Sequence, residues 1–227
     1  MIYHYKMNQN PIICALDTSS EQQALKWIDL VQSYVGMFKV GLELFTANGL
    51  PFLGLLASKN IPVFLDLKFY DIPNTVYKTI QNFNKFKNIK MLTVHGSGDP
   101  EMISAAVEAA SHIEVIAVTV LTSSKSKGWT DVVARKITEK SLAAGATGVV
   151  CSRDEIKFLR EKIGNEFKII VPGVRPAWYK TADDQSRTGT PKEILDRGAT
   201  HLVVGRPITL QNDMREAASK ILNEIKV

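Results

Sequence analysis

The stretch Pro62-Val63-Phe64-Leu65-Asp66-Leu67-Lys68-Phe69-Tyr70-Asp71-Ile72-Pro73-Asn74-Thr75 passes directly from an apolar strand to the start of a helix. Val63, Phe64 and Leu65 favour the strand. Pro73 suits a first helical turn, where its missing N–H leaves no bond unmade. Residues two apart on a strand share a face, so Asp66 and Lys68 point the same way. Apolar neighbours imply that this face is largely buried, and a buried ion is costly unless it is paired. A structural ion pair accounts for two charges. A third, Asp71, at the exit of the same strand reads better as chemistry.

The strand-then-helix unit recurs along the chain. Residues 12–17, 37–41, 63–68, 91–96, 114–121, 148–152, 168–174 and 201–205 read as strands. Several are continuous apolar runs, the pattern of strands covered on both faces. Helical spacing fills the intervals: Ala24, Ile28, Val31 and Val35; Phe52, Leu55 and Leu56 after Pro51; Val76, Ile80 and Phe83 after Pro73; Ile156, Leu159 and Ile163; and Ala217, Ala218, Ile221, Leu222 and Ile225. Thr18-Ser19-Ser20 before Glu21-Gln22-Gln23 offers a helix cap in three frames. Eight such units predict an α/β fold, a (β/α)8 TIM barrel, as one domain over residues 1–227 with 1–10 as an N-terminal extension. An open doubly wound sheet would normally carry a Gly-rich turn after its first strand, and Asp17-Thr18-Ser19-Ser20 has none.

Composition narrows the function classes. The 227 residues are 45% hydrophobic and 22% charged, an ordinary globular balance. No apolar run reaches the ~18–20 residues of a membrane span, and residues 1–10 do not read as a secretory signal, so no membrane partner is expected. Cys14 and Cys151 lie in separate apolar runs and read as buried reduced thiols, pointing to a cytoplasmic protein. The formal net charge of +5 comes from scattered lysines, the densest group being Lys85, Lys87 and Lys90. Without a basic block, a small anionic substrate is a better partner than nucleic acid.

A barrel of this kind carries its active site at the C-terminal ends of its strands, and the unusual polar residues collect there. Asp17 ends the first strand, Lys39 lies near the end of the second, and Asp66 and Lys68 end the third. His95 ends the fourth, Thr122 and Ser123 follow the fifth, and Arg175 and Arg206 follow the seventh and eighth. Any one of these has an ordinary structural reading, and His95 is best read as a strand-end histidine satisfied by backbone. As a set they mark a site. Pro172-Gly173-Val174-Arg175 and Gly205-Arg206-Pro207 pair a glycine with an arginine, a combination suited to phosphate. The long polar connection between Arg175 and Pro191 reads as a lid rather than idle coil. Trp27, Trp129 and Trp178 read as packing or lid residues.

These residues resemble the orotidine 5′-phosphate decarboxylase family. The resemblance rests on Asp66-x-Lys68-x-x-Asp71-Ile72-Pro73-Asn74-Thr75, Ala15-Leu16-Asp17, Phe38-Lys39-Val40-Gly41, Val94-His95-Gly96, Val120-Leu121-Thr122-Ser123, Pro172-Gly173-Val174-Arg175, Asp184-Gln185 and Val204-Gly205-Arg206-Pro207-Ile208, all in the expected order. The segment Ser124-Lys125-Ser126-Lys127-Gly128-Trp129 departs from the family pattern in being more basic, and Val171 stands where a Thr often precedes Pro-Gly. The resemblance implies decarboxylation of orotidine 5′-monophosphate in pyrimidine biosynthesis, with no cofactor and no metal. It implies that Lys68, Asp66 and Asp71 are catalytic. Asp17 and Lys39 would hold the ribose, Thr122 the pyrimidine edge, and Gln185, Arg175, Gly205 and Arg206 the phosphate. Asp71, Ile72 and Thr75 would reach the site of a partner subunit, which implies a homodimer with shared active sites.

Two other readings stay open. A Mg²⁺-dependent sugar-phosphate decarboxylase or aldolase shares an Asp-x-Lys-x-x-Asp core, although it often follows the last Asp with a small residue rather than Ile-Pro-Asn-Thr. A Schiff-base aldolase would need a lysine at the sixth strand, where Cys151-Ser152-Arg153 has none. From another class, a non-catalytic nucleotide-binding barrel would have little reason to retain Asp66, Lys68 and Asp71 together.

Overall fold

The computed structural model describes residues 10–120, 130–180 and 188–226. Within them eight parallel strands close on themselves in chain order. They are β1 (Ile12–Ala15), β2 (Met37–Gly41), β3 (Val63–Phe69), β4 (Ile89–His95), β5 (Glu114–Val118), β6 (Gly148–Val150), β7 (Lys168–Val171) and β8 (His201–Val204). Pairing of Cys14 with Phe38 on one side and with Val204 on the other shuts the barrel at β1. The expected (β/α)8 architecture is the one found.

Both faces of each strand are apolar because each faces a different core. Ile13, Ala15, Met37, Phe64, Met91, Ile116, Ile170 and Val203 point inward and fill the barrel. Their neighbours Ile12, Cys14, Val63, Leu65 and Leu92 point outward beneath the helices. Cys14 and Cys151 are unpaired and fully buried, and burial pushes the Cys14 thiol up to about 12.

The helices are α1 (Glu21–Val31), α2 (Leu42–Ser58), α3 (Pro73–Gln81), α4 (Pro100–Ala109), α5 (Thr130–Ala143), α6 (Ile156–Ile163), α7 (Pro191–Asp196), α8 (Arg206–Thr209) and α9 (Met214–Lys226). Ser20 is the cap of α1, its hydroxyl accepting the Gln23 N–H at 3.2 Å, so the third of the three frames is used. The second helix begins at Leu42, earlier than the spacing after Pro51 predicts. It breaks at Gly49 (φ 61°, ψ −154°) and resumes. Pro51 lacks an N–H and disfavours helical geometry just before it, and Gly49 adopts the turn without a Cβ penalty. The spacing after Pro51 marks only the second piece.

Several strands stop before their apolar runs do: β1 at Ala15, β5 at Val118, β7 at Val171. Past those ends Leu16 and Val174 stay buried in the outer core, and Leu121 lies outside the described residues. Among the described residues no helix is long and apolar enough to cross a membrane.

Candidate active site

The site is built on β3. Its pairing with β4 slips by one residue between Val63 and Phe64, runs on to Leu65 opposite Leu92, and then lapses until Phe69 opposite Val94. Residues 66–68 therefore bulge out of register. Lys68 absorbs the irregularity with φ 53°, a left-handed backbone that a lysine rarely adopts. Such a conformation costs on the order of 1–2 kcal/mol and persists only where neighbours hold it. It leaves Asp66 and Lys68 on the inner side while Leu67 stays in the outer core.

Four charges alternate in sign along the rim. Lys39 Nζ lies 2.9 Å from Asp17 Oδ1 and 4.0 Å from Asp66 Oδ2, and Lys68 Nζ lies 2.9 Å from Asp66 Oδ1. The side chains of Lys39 and Asp66 are 13% and 14% exposed, so pairing compensates the desolvation of the inner two. Asp66 Oδ1 also accepts the Thr93 hydroxyl at 3.0 Å. Thr93 in turn accepts the Lys68 backbone N–H at 2.8 Å. Thr93 was not singled out from sequence. Its signal was a polar residue inside the apolar run Met91-Leu92-Thr93-Val94.

These side chains open onto a cavity of about 240 Å³. Asp17, Lys39, Asp66 and Lys68 line one side, and Arg175, Gly205 and Arg206 line another. Phe64, Val118 and Val150 supply apolar wall that the sequence did not mark as part of a site, beside Val120 and Pro172 from the quoted motifs. Gly173 turns with φ 75°, and beyond it the chain is tied back: Val174 bridges Gly189, whose carbonyl accepts the Arg175 N–H at 2.9 Å. The Arg175 guanidinium donates to the Val174 carbonyl and lies over the Tyr179 ring at 5.7 Å. A Cβ on Gly205 would come within 3.3 Å of Asp17 Oδ2, so this glycine makes room where the ends of β1 and β8 converge. Such a cavity, with an acid–base cluster from β1 to β3 and two arginines after β7 and β8, suits a small anion that carries a charged group besides its reacting centre.

Not every expected residue meets there. Asp71, Ile72 and Thr75 are exposed, beyond the end of β3 and at the start of α3, and do not line the chain's own cavity. Asp71 accepts the Ile72 N–H at 2.7 Å, and Ile72 is 65% exposed. Thr122 and Gln185 lie outside the described residues. His95 is held by Ser97, whose hydroxyl is 2.6 Å from Nδ1, and packs against Tyr70. Burial, and then Lys68, lower its pKa. Among the described residues no three His, Cys, Asp or Glu side chains gather as metal ligands.

The profile of the Orotidine 5′-phosphate decarboxylase / HUMPS family matches residues 10–221. This chain belongs to that family. An orotidine 5′-phosphate decarboxylase of Wolbachia pipientis subsp. Culex pipiens is 41% identical over 95% of this chain and 99% of its own length. That of Ehrlichia canis is 39% identical over 96% of this chain and 99% of its own. The crystal structure of the Lactobacillus acidophilus orotidine 5′-phosphate decarboxylase superposes with a TM-score of 0.83 at 33% identity, covering 96% of this chain and all of that one. With relatives of this kind along nearly its whole length, the chain is an enzyme of the carboxy-lyase class.

Proposed function

We propose that the chain converts orotidine 5′-monophosphate to uridine 5′-monophosphate and CO₂ without a cofactor, in cytoplasmic pyrimidine biosynthesis. In this reading the whole chain acts as one barrel unit. The observation that carries it is the Lys68 ammonium, held 2.9 Å from Asp66 and aimed into the cavity by a left-handed backbone.

Cleavage of the bond between C6 and the carboxylate leaves an electron pair in the plane of the pyrimidine, where the ring cannot delocalise it. Lys68 faces that carbon as a cation and then donates a proton to it, giving the C6–H of the product. At ~3.5 Å and an effective dielectric of ~20, one such charge contributes roughly 4–5 kcal/mol. The largest enzymatic accelerations require ~20 kcal/mol or more. The remainder comes from the other preorganised charges and from phosphate binding on the side of the cavity where Arg175, Gly205 and Arg206 stand. Gln185 joins that grip, and Thr122 bonds the pyrimidine edge. Asp17 and Lys39 hold the ribose hydroxyls. Asp66 presents its charge beside the departing carboxylate and keeps Lys68 in place.

Asp71, Ile72 and Thr75 complete the site of a second copy in a homodimer. Their exposure on the isolated chain, beside a Tyr70 that is 64% exposed, supports this reading. Loss of orotidine 5′-monophosphate absorbance with purified protein in the presence of EDTA tests the proposal. Turnover unaffected by the chelator is expected. Absence of turnover rejects it, and activity abolished by EDTA favours the Mg²⁺-dependent sugar-phosphate reading.

A further inference from the structure

The Thr93 hydroxyl sits where backbone strain and catalytic charge meet. Thr93 is on the inner face of β4 and wholly shielded from solvent. Its oxygen accepts the Lys68 N–H at 2.8 Å and its proton goes to Asp66 Oδ1 at 3.0 Å. The same Asp66 oxygen receives Lys68 Nζ at 2.9 Å. Backbone amide, hydroxyl, carboxylate and ammonium thus form a closed ring that begins and ends on one residue.

We propose that Thr93 is a positioning residue for the Lys68–Asp66 pair: it replaces the ladder hydrogen bond missing at the β3 bulge and so fixes both ends of Lys68. A hydroxyl has one proton to donate and lone pairs to accept with. Because the Lys68 amide points its hydrogen at the Thr93 oxygen, the hydroxyl proton is directed away from that amide, toward Asp66. The bond pattern has a single sense. Between Leu65 and Phe69 the strand pairing is interrupted. The Lys68 N–H would otherwise be a half-buried donor without a partner, which is costly. Its bond to Thr93 is what opposes relaxation of φ 53° toward the ordinary strand region. Relaxation would swing the Lys68 side chain and its ammonium off the reacting carbon.

A misplacement of about 1 Å at a reacting centre costs on the order of 10²-fold in rate. Removing the hydroxyl while keeping the shape, Thr93→Val, is therefore expected to lower kcat by roughly 30- to 100-fold. Thr93 does not line the cavity, so affinity for uridine 5′-monophosphate stays within about threefold. Thr93→Ser, which restores donor and acceptor, is expected to return kcat to within about fivefold of the natural enzyme. A merely structural threonine would move thermal stability in both variants without splitting kcat from product binding.

The inference rests on the proposed decarboxylation, and the controls separate the two. If the natural chain does not consume orotidine 5′-monophosphate, the activity proposal fails. If it does, and Thr93→Val matches it in kcat, loses product binding in proportion, or is no slower than Thr93→Ser, the positioning role fails. If the valine variant does not fold, Thr93→Ala compared with Thr93→Ser at equal folded concentration makes the same test. A crystal structure decides the geometry independently of turnover: Thr93→Val with Lys68 still left-handed and still on Asp66 overturns the proposal.

Discussion

Replacing Lys68 by alanine removes the one ammonium that the reading places against the reacting carbon. The magnitude follows from the geometry. Lys68 Nζ stands 2.9 Å from the Asp66 carboxylate, and its side chain is 31% exposed in the open cavity. A carbanion at ~3.5 Å, with an effective dielectric of ~20, is stabilised by roughly 4–5 kcal/mol, which is ~10³-fold in rate. Loss of the proton donor adds to this, so kcat should fall by at least ~10³-fold. Asp66 keeps the Thr93 hydroxyl at 3.0 Å and Lys39 at 4.0 Å, so the rest of the rim has reason to stay in place. Product binding draws on the arginine side of the cavity and should stay within about tenfold. The assay is single-turnover loss of orotidine 5′-monophosphate absorbance, paired with titration of uridine 5′-monophosphate. A fall in kcat of less than about tenfold would refute the electrostatic argument, and a parallel loss of product affinity would assign Lys68 to binding instead.

Three other outcomes are expected. If Asp71 completes a partner's site, Lys68→Ala and Asp71→Ala proteins, each inactive, should recover about a quarter of natural activity when equal amounts are mixed and allowed to exchange subunits, because half the dimers then hold one intact site; no recovery in a sample shown to have exchanged removes the shared-site reading. Gly205→Ala should raise KM by roughly tenfold with the fold intact, since its Cβ would press within 3.3 Å of Asp17 Oδ2; an unchanged KM would show that the rim can yield there. His201, at the opposite end of the barrel, is buried and bonded to Thr200, and burial followed by Lys168 lowers its pKa from 6.5 to about 4. The unfolded chain binds this proton first, so the contribution is intact above pH 6.5 and shrinks as pH falls to about 4, by up to roughly 3 kcal/mol. Urea midpoints of a His201→Gln variant should show a flatter acid slope over that window, and an unchanged slope would assign the acid sensitivity to other groups.

Much of the barrel was legible because its signals are local. Runs such as Ile12 to Ala15 and Lys168 to Val171 announce strands covered on both sides, and the spacing of Ala24, Ile28 and Val31 announces a helix lying on them. Where reading failed, a local rule was overruled or was silent. Pro51 looked like a helix start, yet Gly49 allows α2 to begin at Leu42 and survive a break. The apolar runs extend to 121 and 174, yet β5 ends at Val118 and β7 at Val171, because an apolar residue past the end of a ladder looks the same in sequence as one still in it.

The candidate site divides along the same line. The order of residues alone located Asp17, Lys39, Asp66, Lys68, Arg175 and Arg206 at strand ends, since alternation of strand and helix dictates which end of each strand meets the next loop. It also set the identity of the charges, and with it the kind of ligand the rim can hold. The closed barrel decided which of them touch. Only the register of β3 against β4 reveals the bulge, the left-handed Lys68 and the Thr93 that faces it. Only the path out of β3 sends Asp71 outward while Asp66, five positions earlier, points in. Periodicity is a property of neighbours along the chain, whereas pairing register and convergence depend on residues brought together by closure.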